Sequence, residues 1–273
     1  MTRSFVPFDS HALLIEAGVA LLLAVLLMLG VWLLSERIHN AGIVDVAWSG
    51  CFTLLAWIYA WLGTGWLPRR LAIAVLVSLW SLRLTVHLWR RVAAMHPRED
   101  SRYEELRRKW TPNTGIKFLL FFQVQALLAV VLSLPYALAS LDVRTTFYPL
   151  EIGGAILFAM ALIGEASADH QLSAFKHDPA NHGRTMDLGL WRYSRHPNYF
   201  FEWLIWVAWF VMAAGSPWGL VTVYCPLLML HFLLNVTGVP MAEAQSLKSR
   251  GEEYRRYQRM TSRFIPLPRR SRS

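Results

Sequence analysis

The sequence GLWRYSRHPNYFFE, residues 189–202, brings two arginines, a histidine, an asparagine, two tyrosines and a glutamate together between two strongly apolar stretches. Burying polar groups near a membrane is costly, so their density here indicates a ligand-binding site. Arginine suits phosphate or carboxylate, and aromatic rings suit a flat ring that stacks on them. Pro197 restrains the chain where a loop becomes a helix, and the first turn of that helix directs free backbone N–H groups toward an anion.

The composition is that of a polytopic membrane protein. Of the 273 residues, 55% are hydrophobic and only 16% are charged, below the roughly 25% of a soluble domain. The net charge of +9 comes from basic residues in short loops, a pattern typical of membrane topology and lipid contact and not of nucleic-acid binding. Cys51 and Cys225 both lie inside apolar runs, where we expect small core residues and no disulfide.

The apolar runs predict an all-α membrane helix bundle formed by one domain, residues 1–273. A helix needs about 20 apolar residues to cross the hydrocarbon core, and seven runs approach that length, the sixth being marginal. The first run is too long for a cleaved signal peptide and is expected to stay as a membrane helix. The predicted spans are about 12–35, 43–62, 69–90, 115–139, 149–172, 198–214 and 218–236, followed by an interfacial tail at 240–273.

The distribution of lysine and arginine predicts the orientation. Alternate segments, 36–42, 90–114, 173–197 and 237–273, hold most of the 27 basic residues. The other loops hold only Arg3, Arg69, Arg70 and Arg144. Because basic loops stay in the cytoplasm, the N-terminus is predicted outside and the C-terminus inside, and residues 189–202 then face the cytoplasm.

The tail has two interpretations, which the sequence leaves open. Residues 240–258 have a helical pattern in which apolar side chains lie beside several lysines and arginines. One interpretation is an interfacial helix on anionic lipid. The other is a lid over a bound ligand, with Tyr254, Tyr257 and Arg263 turned inward.

Ionisable residues inside the predicted spans are candidates for a functional site, because charge at membrane depth is costly. Asp45 lies near the inner end of the second span. Arg83 and His87 lie four residues apart in the third span, and Glu165 and Asp169 have the same spacing in the fifth, so each pair shares a helix face. The alternatives are an ion-pair network in which Arg83 joins Asp45 or Asp169, and a core histidine at His87.

The basic segment 90–114 mixes both signs of charge with an aromatic residue. We predict that Arg91, Asp100, Arg102 and Tyr103 form a phosphate and ribose clamp, and the alternative is a solvated loop that sets topology. The sequence has no glycine-rich dinucleotide motif and no P-loop, so a nucleotide has to bind without a Rossmann turn. It also lacks the spacing of metal ligands, so no metal site is expected.

Residues 189–202, together with the tail pattern YxxYxxxTSxFxP at 254–266, carry a resemblance to a known family. Over about residues 40–268 the chain resembles the membrane steroid 5-alpha-reductase family, in its bacterial branch of seven-span proteins. The superfamily includes the sterol C14 and C7 reductases and the isoprenylcysteine carboxyl methyltransferases. The Arg-His-Pro-Asn-Tyr core is specific to the superfamily and does not separate reductases from methyltransferases.

The resemblance implies an NADPH-dependent reductase of the C=C bond in a lipophilic enone, with a 3-oxo-Δ4 steroid as the substrate of the family. Where the steroid reductases have a glutamine-glutamate pair and a tyrosine, this chain has Asp45 and His87, and a polyprenyl or fatty enone fits the apolar site as well. Asp45 and His87 are the predicted catalytic residues. Either a protonated Asp45 donates to the carbonyl beside His87, or an ionised Asp45 holds His87 in its charged form.

The predicted cofactor-binding residues come from four parts of the chain. They are Arg83, Arg91, Asp100, Arg102, Tyr103, Glu165, Asp169, Tyr193, Arg195, His196, Asn198, Tyr199, Glu202, Tyr254 and Tyr257. Two other functions remain open: an S-adenosylmethionine-dependent membrane methyltransferase of the isoprenylcysteine type, and a non-enzymatic lipid-binding protein. We expect a monomer in the bacterial inner membrane, with its cofactor site facing the cytoplasm. Its expected partners are a lipophilic small molecule and membrane lipid, without nucleic acid.

Overall fold

The computed structural model describes residues 9–269, and this part of the chain consists of helices and connecting turns without a strand. Arg3 and the end of the predicted tail, residues 270–273, lie outside the described residues. Short 3-10 turns join some of the helices, and a π-helical turn forms Phe232–Val236. The α-helices are α1 (Ser10–Ile38), α2 (Ile43–Leu62), α3 (Leu67–Met95), α4 (Ser101–Trp110), α5 (Thr114–Leu132), α6 (Leu134–Ser140), α7 (Pro149–His177), α8 (Pro197–Ala214), α9 (Tyr224–His231) and α10 (Val239–Met260).

Six helical segments of residues 9–269 are long and apolar enough to cross a membrane: α1, α2, α3, α5, α7 and the segment Gly219–Met260. The prediction of an all-α membrane protein is therefore confirmed. The predicted sixth span, 198–214, forms α8 but is not among the six, and its 18 residues begin with proline and asparagine and include a buried glutamate. The predicted span 115–139 is divided between α5 and α6 at Ser133.

The chain divides into two compact units, and the single domain predicted from the sequence stays a prediction. The first unit contains the chain up to Phe147 and Ser216–Gly219, and the second contains Tyr148–Gly215 and the chain from Leu220 onward. In the first unit, α2 packs along α3, and α1 packs against α2 and α5.

Hydroxyl groups join α2 to α3. The hydroxyls of Ser49 and Thr85 lie 3.0 Å apart, and the Thr53 hydroxyl donates to the Ser81 hydroxyl at 2.9 Å. Small polar residues of this kind let two helices approach closely and bond across an apolar environment. Because Asp45 lies one turn before Ser49, these contacts hold the beginning of α2 against α3.

Arg69 joins α3 to the loop that precedes α7. Its side chain is 1% exposed. Its Nη1 donates to the carbonyl oxygens of Asp142 at 2.9 Å and Arg144 at 2.7 Å, and its Nη2 donates to that of Thr146 at 2.6 Å. The ring of Trp66 lies 5.6 Å from the guanidinium. A buried charge is tolerated when oxygens surround it in this way, so Arg69, which the sequence places among the outer loop charges, is a structural residue.

In the second unit, α7 packs along α8 at two glycines. A Cβ added at Gly164 would lie 2.5 Å from the ring of Phe201, and one added at Gly154 would lie 2.4 Å from the side chain of Met212. Small residues allow such close approach between apolar helices. The packing brings the end of α7 beside the beginning of α8.

Candidate functional site

Asp45 lies in the first turn of α2, where the partial positive charge of the helix N-terminus favours a carboxylate. Both of its oxygens accept hydrogen bonds from α4. Arg102 Nη2 donates to Oδ2 at 2.7 Å, and the hydroxyl of Tyr103, a side chain that is 3% exposed, donates to Oδ1 at 2.7 Å. The predicted catalytic aspartate and two residues of the predicted clamp therefore form one cluster.

Asp100 holds the other side of this cluster. It is the N-cap of α4, and its Oδ1 accepts the backbone N–H of Arg102 at 3.0 Å. The guanidinium of Arg102 donates to Asp100 through Nε at 3.0 Å and Nη2 at 3.1 Å, and Arg91 Nη2 donates to Oδ2 of Asp100 at 2.6 Å. Arg102 is thus fixed between two carboxylates by its Nε and Nη2 groups.

The protonation states follow from this environment. Burial alone would raise the pKa of Asp100, but the hydrogen bonds and charge of Arg102, with the charge of Arg91, outweigh burial and hold that pKa below its ordinary value. Burial raises the pKa of the Tyr103 phenol, and the negative charge of Asp45 raises it further. At neutral pH, Asp100 is therefore a carboxylate, and Tyr103 is a neutral phenol that donates its proton to Asp45.

A small cleft, partly open to solvent, lies beside the cluster. Its apolar wall is formed by α3, and its polar lining includes Asn40, Asp45, Arg98 and Arg102. The Nη1 group of Arg102 donates no hydrogen bond to any residue between 9 and 269. A fixed guanidinium that lines a cleft and has one amino group without a protein acceptor can bind an oxygen that carries negative charge.

The two predicted catalytic residues are not bonded to each other. His87 is exposed on α3, and no hydrogen bond links it to Asp45 within the described chain. Arg83, one turn earlier on α3, is partly buried. The cluster on Asp45 is instead built from residues of α4.

In the second unit, the motif at 189–202 pairs with the tail motif. The Ser194 hydroxyl donates to the carbonyl oxygen of Phe264 at 2.6 Å, and the Arg195 N–H donates to the carbonyl oxygen of Ser262 at 2.9 Å. The two segments that carry the family resemblance therefore form one local structure, although the bonded residues Ser194 and Phe264 are 70 positions apart in the sequence.

The backbone conformation and the packing explain why the motif begins with a glycine. Gly189 has a φ of 55°, which favours glycine, and an added Cβ would lie 2.5 Å from the side chain of Gln171. The Oε1 of Gln171 accepts the backbone N–H of Leu190 at 3.0 Å. The end of α7 thus holds the first turn of the motif.

Arg195 and His196 converge on Glu243 in α10, a residue that sequence analysis missed. Arg195 Nε donates to Glu243 Oε1 at 2.7 Å, and His196 Nε2 lies 3.3 Å from the same oxygen. Arg195 Nη1 also donates to the carbonyl oxygens of Gln258 at 2.7 Å and Thr261 at 3.2 Å. Burial lowers the pKa of His196, and Glu243 offsets this only in part, so the imidazole is neutral at pH 7.

Asn198 and the acidic residues of α7 form the remaining part of this site. Asn198 Nδ2 donates to Asp169 Oδ1 at 3.2 Å, and Asn198 Oδ1 is buried without a hydrogen-bond donor among the described residues. Glu165 and Glu202 are buried, and Glu202 accepts an indole N–H of its own helix at 3.0 Å. Within the motif, the ring of Tyr199 stacks on the ring of His196, with 5.5 Å between the two ring centres.

The tyrosines of the motif and the tail differ in exposure. Tyr193 is 46% exposed, whereas Tyr254 and Tyr257 are buried, and the Tyr257 hydroxyl donates to the carbonyl oxygen of Trp191. Arg263 is exposed, and it donates to a backbone carbonyl at 2.8 Å. Of the three residues that the lid interpretation turns inward, the two tyrosines are inward and the arginine is not.

Glu243 gave no signal in the sequence, because a glutamate in a polar, helical tail resembles a solvated residue. Asn40 was missed for a similar reason, since it lies in a short loop beside a glycine. Glu243 is distinguished by its bonds to Arg195 and His196, and Asn40 by its place in the lining of the cleft.

These features define a class of protein: an α-helical membrane protein with clusters of charged residues, bonded to one another, at the ends of its helices. The family described as "Protein of unknown function (DUF1295)" matches residues 31–261, and the chain belongs to this family, which is similar to the steroid 5-alpha-reductases. A Schizosaccharomyces pombe protein described as uncharacterized is 29% identical in an alignment of 280 positions that covers 91% of this chain and 79% of that protein. No solved structure matches the chain.

Proposed function

We propose that this protein is a membrane reductase that saturates the C=C bond of a lipophilic enone with NADPH, and that a 3-oxo-Δ4 steroid is the first substrate to test. The observation that carries the proposal is the guanidinium of Arg102, which two carboxylates fix in place and which directs no hydrogen bond from Nη1 to the described chain. Reduction of an enone places negative charge on the carbonyl oxygen, and a preorganised cation stabilises that charge.

In this proposal, the carbonyl oxygen binds at Arg102 Nη1. Asp45 and Asp100 keep the guanidinium in position, and the Tyr103 hydroxyl keeps Asp45 in position. When bound, NADPH supplies the hydride that adds to the β carbon. The proton that completes the product at the α carbon comes from water, because the cleft is open to solvent.

The residues of the second unit fit NADPH in part. The buried Oδ1 of Asn198 suits an N–H donor such as a carboxamide, and the half-exposed ring of Tyr193 suits stacking against a flat ring. The guanidinium of Arg195 is already engaged by a carboxylate and two carbonyls, so we assign Arg195 to holding the motif and not to a phosphate.

We further propose seven spans, with α8 as the sixth, an N-terminus outside, and a cofactor site on the cytoplasmic side of a bacterial inner membrane. The distribution of lysine and arginine supports this orientation. The partners in this proposal are a lipophilic enone and membrane lipid, and the chain acts as a monomer.

The first test is thermal unfolding of the detergent-purified protein with NADPH, NADH and S-adenosylmethionine in parallel. A ligand that binds only the folded state stabilises it by about 2.7 kcal/mol at 100 times its dissociation constant. The reductase predicts a selective shift with NADPH. A shift with S-adenosylmethionine alone would replace the reductase by a methyltransferase.

The second test compares Arg102→Lys with the control Arg108→Lys, which changes an exposed residue of the same helix. Lysine is charged, but it cannot bond two carboxylates and a substrate oxygen in one plane. We expect Arg102→Lys to lower kcat for NADPH-dependent enone reduction by about 100-fold or more. If His87→Ala has that effect and Arg102→Lys does not, the predicted pair Asp45 and His87 is the electrophile.

A further inference from the structure

The loop between α1 and α2 is held in place because the side chains of Glu99 and Asn40 accept hydrogen bonds from its backbone. The backbone N–H of Ala41 donates to Glu99 Oε1 at 2.5 Å, and the guanidinium of Arg107 donates to both oxygens of Glu99 at 3.1 Å. The backbone N–H of Gly42 donates to Oδ1 of Asn40 at 3.0 Å. The loop that leads into Asp45 is therefore fixed, and Asn40 is fixed with it.

The carboxamide of Asn40 has one end bonded and one end on the cleft. Asn40 is 3% exposed and lines the cleft beside Asp45 and Arg102. Its oxygen accepts the Gly42 N–H, whereas its Nδ2 has no acceptor among residues 9–269. A donor that the protein leaves unbonded beside a cleft can donate to a ligand oxygen in place of water.

Gly42 keeps this corner of the cleft open. A Cβ added there would lie 3.0 Å from Asn40 Oδ1 and 3.7 Å from the ring of Tyr103. A side chain at this position would crowd the carboxamide and occupy the space next to it. The loop thus combines an oriented donor with space beside it for a ligand oxygen.

We infer that Asn40 is a ligand-binding residue of the cleft, whose Nδ2 donates a hydrogen bond to the ketone oxygen of the substrate. With Arg102 Nη1 it forms a pair of donors on one oxygen, so the site selects lipids that carry an oxygen acceptor over the same hydrocarbon without one. Glu99 and Arg107 are positioning residues that hold the loop. The inference rests on the proposed function for the identity of that oxygen.

The test is the affinity of the purified protein for cholest-4-en-3-one and for cholest-4-ene, which has the same skeleton without the ketone. Loss of one neutral hydrogen bond corresponds to about a 10-fold change in affinity. We expect wild type to bind the ketone more tightly than the hydrocarbon by 10-fold or more. Asn40→Asp retains an oxygen for the Gly42 N–H and loses the donor, so we expect it to remove about 10-fold of that preference. Because it also adds a negative charge at a buried residue, its melting temperature is measured alongside.

The matched control is Asn113→Asp, the same chemical change at an exposed residue of the same unit that makes no side-chain cap bond. It should leave the preference for the ketone unchanged. If Asn40→Asp does not fold, Asn40→Ala removes the donor, together with the acceptor of the Gly42 N–H, and gives the comparison. Glu99→Gln keeps an acceptor for Ala41 but weakens the bond to Arg107, and it should raise KM more than it lowers kcat.

The outcomes separate the inference from the proposed function. A ketone preference that Asn40→Asp diminishes supports the inference, even when no NADPH is oxidised, in which case only the reductase fails. Equal binding of the two lipids, binding of neither, or an unchanged preference in both Asn40 variants overturns the inference.

Discussion

The bond between Tyr103 and Asp45 supports the whole cluster, and Tyr103→Phe removes only its hydroxyl. The phenol is 3% exposed and donates to a carboxylate oxygen at 2.7 Å. A hydrogen bond to a charged group contributes about 1.5–3 kcal/mol to stability. The Asp45 side chain is 25% exposed, so water replaces part of the lost bond, and we expect a cost of about 1.5–2 kcal/mol.

A double-mutant cycle separates this bond from the rest of the site. Asp45→Asn keeps the size of the side chain and removes the charge that the Tyr103 phenol and Arg102 share. Because the two residues are in direct contact, we expect a coupling energy of about 1 kcal/mol or more. The assay is equilibrium unfolding in mixed detergent micelles of increasing denaturing strength, followed by tryptophan fluorescence. Tyr193→Phe, which changes an exposed tyrosine, is the control and should stay within about 0.5 kcal/mol of wild type.

Two results would refute the reasoning. One is a Tyr103→Phe protein whose stability equals that of the Tyr193→Phe control. The other is additivity of Tyr103→Phe and Asp45→Asn, since additive effects mean that the two side chains do not interact.

Three further predictions concern stability. Arg69→Met should cost about 3–5 kcal/mol because it leaves buried acceptors without their donor. The control Arg108→Met, at an exposed arginine of the same unit, should change stability by about 0.5 kcal/mol or less. Equal losses in denaturant unfolding would contradict the buried geometry of Arg69. Gly154→Ala should cost about 1–3 kcal/mol because its Cβ meets α8, whereas Gly153→Ala, whose Cβ meets nothing, should be neutral or stabilising. The pKa of Asp100 lies below its ordinary value in the folded protein. The stability that Asp100 contributes is therefore complete above the unfolded pKa of about 3.9 and is lost as the pH falls through the lower folded pKa. Asp100→Asn should remove that part of the acid dependence in unfolding scans, and an unchanged acid dependence would contradict this prediction.

The beginning and end of several helices were predictable because apolar length is a local property of the chain. The predicted span 43–62 coincides with α2, and 149–172 begins where α7 begins. The sequence did not predict changes of helix type within an apolar run. The predicted span 218–236 is a 3-10 turn, α9 and a π-helical turn in succession.

Parts of the candidate site were predictable from residue type alone. Asp45, Arg102 and Tyr103 were each singled out because charge and aromatic groups near a membrane are costly without a role. Their mutual contacts were not predictable. Arg102 and Tyr103 lie 57 and 58 residues after Asp45, and no local pattern sets such a pairing.

The sequence by itself determined the class of the chain, an α-helical membrane protein, because apolar runs of sufficient length have to satisfy their backbone hydrogen bonds as helices. Only the tertiary structure decided what each polar residue does. It bonded Arg195 to Glu243, and it left one amino group of Arg102, a residue that lines the cleft, without an acceptor among residues 9–269. The physical reason is that a charge selects its partner by distance in space, which depends on how α2, α4 and their neighbours pack, whereas helix formation depends on residues that are adjacent in the chain.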